Sequence, residues 1–293
     1  MKGVPFFTVV IPTHNRADDL ARAFESLAQQ TFTNFEVIVG DNESTDHTPE
    51  VIEKYKKNFA IKHIYEKNWG GPARPRNNGI KAARGQWVCF LDSDDWWYKD
   101  KLARVHEISE TSDLVYHKLD VHTPAGKQSK THFARKLKAP VYQDLMLNGN
   151  AMANSSVCVR RELLLETGGF AEDKSIITAE DFDLWLRISQ KTDRFSRINE
   201  SLGAYWVAGS NLSGAIEKRI SLVENVYQRH LPNLQGNERR QAEYFMNYVL
   251  GRMYHQIGDF GQARQRLKQA RKTRNLEYKL KSYVLLSLML FKS

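Results

Sequence analysis

The sequence predicts an α/β protein built on a mainly parallel sheet flanked by helices, with an all-helical extension at its C-terminal end. Three observations carry this. Strand-like runs alternate with stretches of helical spacing as far as residue 91. Each of three such runs ends in a polar loop. From residue 217 onward the spacing is helical throughout, broken only at 231–236 and 258–261.

The elements follow in order. Residues 6–11 (FFTVVI) form a β-rich run that stops at Pro12. Leu20, Phe24, Leu27 and Ala28 recur at helical spacing over 17–30, with Asp18 and Asp19 suited to a first turn. A second strand covers 35–39 and ends at Gly40 and an acidic turn, 41–48. Pro49 opens a helix to about Lys57, and a third strand covers 61–65. After a loop at 68–75 come a helix to about Arg84 and the apolar strand 87–91. Beyond it the pattern loosens: 114–119 and 155–159 read as strands, and 160–166 and 181–190 as helices.

A chain of 293 residues suffices for one large α/β domain and a smaller appendage, divided near residue 214 into 1–214 and 215–293. At 41% hydrophobic and 26% charged, the composition is that of an ordinary globular protein. Cys89 and Cys158 lie in apolar runs and read as two buried thiols in a reducing compartment. Residues 1–5 lead straight into a strand-like run, so no signal peptide is expected, and no stretch reaches the ~20 apolar residues of a membrane span. Residues 1–214 hold 28 Lys+Arg against 28 Asp+Glu, whereas 215–293 hold 15 against 6, so the whole formal +9 belongs to the extension. Such a tail suits a polyanion, whether anionic lipid, nucleic acid or an acidic partner, or is a solvated basic helix face.

Parallel sheets bind ligands at the carboxyl ends of their strands. That rule singles out loops 12–16, 41–46 and 92–95. Neither GxGxxG after the first strand nor GxxxxGK[ST] anywhere is present, which excludes those two phosphate-binding loops. The nine histidines show no zinc-ligand spacing. The strongest local signal is CFLDSDD (89–95), a buried strand running into Asp92, Asp94 and Asp95. Carboxylates packed this closely raise one another's pKa unless a cation neutralises them. Oxygen-only donors suit Mg2+ or Mn2+ shared with substrate phosphates. The alternative is an acidic turn capping the next helix.

VVIPTHNR (9–16), EVIVGDNESTD (36–46), RNNGIKAARGQWVCFLDSDD (76–95), GGF (168–170) and AEDFDLWLR (179–187) together resemble a family 2 glycosyltransferase of the non-processive bacterial type, over roughly residues 5–210. The resemblance implies a GT-A fold and inverting transfer of a sugar from a nucleotide-diphosphate donor, a UDP-sugar, to a glycan or lipid-linked acceptor in surface polysaccharide or glycoconjugate synthesis. It implies Pro12, Thr13, Asn15 and Arg16 around the nucleoside, Asp41 on the base, Arg76 near the nucleotide, Asp92 and Ser93 on the ribose or sugar, and Asp94 on the metal, Mn2+ or Mg2+. Asp181, in the pair Glu180-Asp181, would be the general base; read without the resemblance, it is a carboxylate at a helix N-terminus. The QxxRW motif and membrane spans of processive members are absent, and Asn77-Asn78 and 71–75 depart from the pattern. The rivals are an inactive sugar-nucleotide-binding scaffold acting through its tail and a nucleotidyltransferase; the latter would want a Gly-rich first loop where this chain has PTHNRADD.

In the extension, residues 237–272 resemble one tetratricopeptide helical hairpin, which cannot bury its own face alone. Residues 283–291 (YVLLSLMLF) are apolar and bracketed by Lys279, Lys281 and Lys292. Nine residues cannot span a bilayer, so the run is a surface-lying anchor or a core helix. The expected location is cytoplasmic, peripheral on the inner face of the cell membrane, with an anionic membrane surface as partner and no nucleic acid.

Overall fold

The computed structural model describes residues 3–132, 134–207 and 212–289, the side chains of 130–132 and 212–215 excepted. The elements are β1 (Phe7–Thr13), α1 (Ala17–Ala28), β2 (Phe35–Asn42), α2 (Thr48–Tyr55), β3 (Ala60–Glu66), α3 (Ala73–Ala82) and β4 (Trp87–Phe90). Next come β5 (Trp96–Trp97), α4 (Lys101–Ile108), β6 (Leu114–Thr123), β7 (Gly126–His132), α5 (Val141–Asn148), β8 (Cys158–Arg160) and α6 (Arg161–Glu166). The chain ends with α7 (Glu180–Ser189), β9 (Phe195–Trp206), α8 (Leu212–His230), α9 (Gly236–Gln256), α10 (Phe260–Ala270) and α11 (Leu276–Leu288). It divides into two compact units. One comprises Met1–Lys138, Ala151–Glu172 and Arg187–Gly209; the other comprises Ala139–Asn150, Asp173–Leu186 and Ser210–Ser293.

The first unit is built on a nine-stranded sheet of order β3-β2-β1-β4-β8-β6-β9-β5, with β7 on β6. The four strands read from the N-terminal pattern are parallel neighbours, as the strand–helix alternation requires. The other half is mixed: β8 runs antiparallel to β4 and β6, while β6 and β9 are parallel. Every residue of β1 is buried, since helices cover both faces of a parallel sheet. β3, at the sheet edge, is half exposed. Phe24 and Leu27 of α1 and Ile52 of α2 pack on β1 and β2 around Phe7, Val9, Val37 and Val39. Helix α3 lies very close to the strands: a Cβ on Gly79 would sit 2.5 Å from Val10 Cγ1, and one on Gly40 2.6 Å from the Pro75 carbonyl oxygen.

Cys89 and Cys158 are both fully buried, but they are not separate thiols. They are register partners across β4 and β8, with Cα atoms 4.1 Å apart, and are joined as a disulfide. The antiparallel pairing of two segments 69 residues apart brings them together, which no local pattern reveals.

In the second unit α9 and α10 form a hairpin whose crossing depends on small residues. A Cβ on Gly251 would lie 2.7 Å from Leu267 Cγ, and Ala263 is fully buried. The hairpin packs on α5, α8 and α11. Asp259 caps α10 by accepting from the Gln262 N–H, and Asn275 caps α11 by accepting from the Glu277 and Tyr278 N–H groups. The helical spacing of the sequence runs through the break before α11 without marking it. Among the described residues no helix is long and apolar enough to cross a membrane. Leu290 and Phe291 of the apolar run, and Lys292 of its bracket, lie outside the described residues.

Candidate active site

Loops 12–16 and 41–46 leave adjacent parallel strands, so β1–β2 pairing places them side by side, with Thr13 opposite Asp41. Hydrogen bonds then stitch them together. Asn15, at φ 51°, accepts from the Thr45 N–H at 2.7 Å, and its own N–H donates to Ser44 Oγ at 3.0 Å. Positive φ suits Asn, whose short polar side chain bonds locally. Asp46 accepts from the Ala17 N–H at the start of α1 and from Thr48. Burial pushes its carboxyl up, but these hydrogen bonds win and hold it below the ordinary value.

Asp41 is fully buried and accepts from the Ser44 N–H at 2.9 Å, with His63 Nε2 3.0 Å from its other oxygen. Pro12 is buried in β1 and Thr13 is nearly so. Four of the sequence-predicted nucleotide residues, Pro12, Thr13, Asn15 and Asp41, therefore share one corner of the sheet, and Arg16 follows at the entry to α1.

The third loop is bound to this corner by charge. Arg16 donates to Asp94 Oδ2 at 2.8 Å, and the buried Arg76 of α3 donates to Asp92 Oδ1 at 2.6 Å. Arg22 of α1 donates to the Asp94 carbonyl oxygen at 2.7 Å, its guanidinium lying 4.8 Å from the Trp96 ring centroid and 5.1 Å from that of Trp206. Asn154 and Ser155, just before β8, also hold Asp92, through its carboxylate and its N–H. Ser93 is buried between the acids.

Even with two arginines the loop is short of positive charge. Burial, then the Asp92 carboxylate, raises the Asp94 carboxyl above its ordinary value, against the pull of Arg16. Asp95 is raised much further by burial and by both neighbouring acids. Its Oδ1 accepts from the Trp206 N–H, while its buried Oδ2 meets no hydrogen-bond partner among the described residues. No cluster of three His, Cys, Asp or Glu donors occurs among the described residues. A divalent cation shared with phosphate oxygens needs only one or two carboxylates. The oxygen donors and uncompensated negative charge of this loop fit such an ion.

Glu180 and Asp181 open α7 in the second unit. Glu180 is buried; Asp181 accepts from the Phe182 N–H at 2.6 Å and from Asn150 Nδ2 at 3.4 Å. Two residues beyond Asp181, the fully buried Asp183 meets His230 Nε2 at 2.9 Å and Arg229 at 3.6 Å. Residues that sequence reasoning does not find are Arg22, His63, Asn154, Ser155 and Trp206. Only the polar Asn154-Ser155-Ser156 ahead of an apolar strand carries a local signal.

A sheet of this order, carrying an arginine-braced acidic loop at the carboxyl ends of its parallel strands, defines an α/β protein of the GT-A type. The profile of glycosyl transferase family 2 matches residues 8–166, and the chain belongs to that family. It is similar to the poly(ribitol-phosphate) β-N-acetylglucosaminyltransferase TarS of Staphylococcus aureus, 43% identical over 33% of this chain and 17% of the relative. It is also similar to a putative teichuronic acid biosynthesis glycosyltransferase, TuaG, of Bacillus subtilis, 28% identical over 71% of this chain and 82% of the relative. In three dimensions it resembles TarS 1–349 in complex with UDP-GlcNAc, at TM-score 0.67 and 23% identity over 94% of this chain and 83% of that one. A mannosyltransferase from Pyrobaculum calidifontis in complex with GDP-Man and Mn2+ gives TM-score 0.65 and 19% identity over 98% and 81%. At these identities the structural likeness speaks for the fold. Matches to relatives such as an uncharacterized glycosyltransferase of Rickettsia conorii span about a third or less of their length.

Proposed function

We propose that this protein transfers a sugar from a UDP-sugar to a hydroxyl of a glycan or lipid-linked acceptor, with inversion, in the building of a surface polysaccharide or glycoconjugate. The observation that carries the reading is the loop of Asp92, Asp94 and Asp95 held by Arg16 and Arg76 at the ends of β1 and β4, in a chain of this family. TarS is named for poly(ribitol-phosphate) and TuaG for teichuronic acid biosynthesis, which supports a polymeric glycan or glycoconjugate as the product here.

In this reading Pro12, Thr13, Asn15 and Asp41 receive the nucleoside, and Arg16 and Arg76 turn from carboxylate to phosphate when the donor arrives. Asp92 and Ser93 hold the ribose or sugar. Asp94 would hold Mn2+ or Mg2+, which supplies charge neutralisation to the departing diphosphate. The acceptor oxygen attacks the anomeric carbon, the bond from that carbon to the diphosphate breaks, and the acceptor's proton passes to a carboxylate. That base is Asp181, with Glu180 beside it. Residues 1–214 carry the chemistry and 215–293 the docking, at the cytoplasmic face of the membrane.

Two variants test this. Asp94→Ala removes the manganese-dependent stabilisation by UDP and abolishes transfer. Asp181→Asn keeps that stabilisation while transfer falls ~10²–10⁴-fold, the usual worth of a general base. Full turnover by Asp94→Ala sinks the metal assignment; loss of UDP binding by Asp181→Asn makes Asp181 a structural residue.

A further inference from the structure

We propose that α11 is an in-plane docking helix that lays one apolar face on an anionic lipid surface. Four residues spaced by one turn, Leu276, Leu280, Val284 and Leu288, are 78%, 66%, 49% and 56% exposed, and Tyr283 beside them is 47% exposed. Large apolar side chains in an unbroken row are unusual on a free surface. At about 100° per residue these five span an arc of roughly 140°. The opposite side of the helix is where Ser282 and Met289 are buried, so α11 is held to its unit by one face and presents the other.

The charges around the row identify the occupant. Lys279 and Lys281, both exposed, project at its two edges, and the acid within the arc, Glu277, is engaged by Lys281 through a hydrogen bond. Arg271 lies over the Tyr283 ring, and Lys268, Lys272 and Arg274 are exposed nearby in sequence. An apolar arc edged by lysines matches the boundary between acyl chains and anionic headgroups, where stems lie along the apolar layer and ammonium groups reach the phosphates. A second copy of the same face would bring the whole basic extension, 15 Lys+Arg against 6 Asp+Glu, against itself. The sequence-based anchor over 283–291 is thereby shifted: the exposed row begins at Leu276. The proposal rests on the docking role given to 215–293 above and deepens it, but its test is separate from the sugar-transfer reading, because it concerns neither the donor nor the acidic loop.

Flotation of the full chain with phosphatidylglycerol-rich vesicles, against phosphatidylcholine vesicles, tests it. Bound protein is expected with the anionic vesicles alone and declines as salt rises through the range that screens surface charge. The double variant Leu280→Asp/Val284→Asp is expected to lower partitioning at least tenfold with an unchanged melting temperature, since both side chains are exposed. Intact protein that does not float with anionic vesicles at low salt overturns the proposal. So does a double variant that floats as well as the parent, which leaves charge without insertion. A large drop in melting temperature shows the row to be covered within the protein. A concentration-dependent dimer that the variant abolishes makes the occupant a second copy.

Discussion

A buried histidine sets an acid limit on the first unit. His117, on β6, is 1% exposed; burial, then the neighbouring Lys101 charge, pushes its pKa down to about 3. Its Nδ1 meets the Lys118 carbonyl oxygen at 2.8 Å, and its buried Nε2 has no hydrogen-bond partner among the described residues. The sign follows. Between pH 6.5 and about 3 the unfolded chain takes up a proton that the folded one refuses, so stability falls as pH drops, by up to ~1.4 kcal/mol per unit. His117→Gln should flatten the dependence of melting temperature on pH between 6.5 and 4, measured by calorimetry; an unaltered slope would show another group to be responsible. Nothing in the run VYHKL distinguishes this histidine from a solvated one, because its neighbours Lys101 and Lys118 are set by tertiary packing and strand geometry. The acids of 92–95 were legible for the opposite reason: their crowding is local. Asn154, Ser155 and His63 reach the site from other segments, so no spacing announces them.

At the scale of elements, the motif GGF works as a latch. Gly168 and Gly169 have φ of 76° and 71°, which glycine adopts freely. Asn77 of α3 accepts from the Phe170 N–H at 2.8 Å and donates to the Phe170 carbonyl at 2.8 Å and to Glu172 at 3.0 Å. Arg187, in the last turn of α7, donates to the Gly169 carbonyl at 2.7 Å. A Cβ on Gly169 would strike the Asn77 amide oxygen. Asn77→Ala and Gly169→Ala should each cost about 2–4 kcal/mol in urea unfolding, the first by leaving buried backbone groups unsatisfied and the second by strain and clash. Together they should cost less than their sum, because Asn77→Ala removes the very oxygen that the new methyl group of Gly169→Ala would strike. Strict additivity would refute the latch. Strands β1 to β4 and helices α1 to α3 were readable because each buries a continuous or periodic apolar run. β7 (GKQSKTH) is polar throughout, and β9 interleaves Ser, Arg, Asn and Glu with its apolar residues, so both escaped. Helix α5 carries an uneven apolar pattern, VYQDLMLN, that announces neither a helix nor a strand.

The charge of the whole molecule constrains how a donor can bind. Residues 1–214 are neutral, 28 Lys+Arg against 28 Asp+Glu, so that stretch adds no net positive charge to draw a nucleoside diphosphate to the strand ends. In the proposed reading attraction comes at short range, from Arg16 and Arg76, and both already face Asp94 and Asp92. A diphosphate arriving alone would take these arginines from their carboxylates and add its own charge to a loop where Asp94 and Asp95 are already raised. A divalent cation reverses that balance by pairing with the freed carboxylate. Affinity for UDP should therefore be strongly metal-dependent, whereas a site built on a positive field would bind UDP almost as well in chelator. In a thermal-shift series, UDP with Mn2+ at 100 times its dissociation constant adds ~2.7 kcal/mol of stability. UDP in excess chelator should add little, and Mn2+ alone should add less than the pair. GDP with Mn2+ should fall short of UDP if the corner formed by Thr13, Asn15 and Asp41 reads the base. Equal shifts with and without chelator would remove the cation from the site, and equal shifts for UDP and GDP would remove base recognition from that corner while leaving the phosphate reading intact.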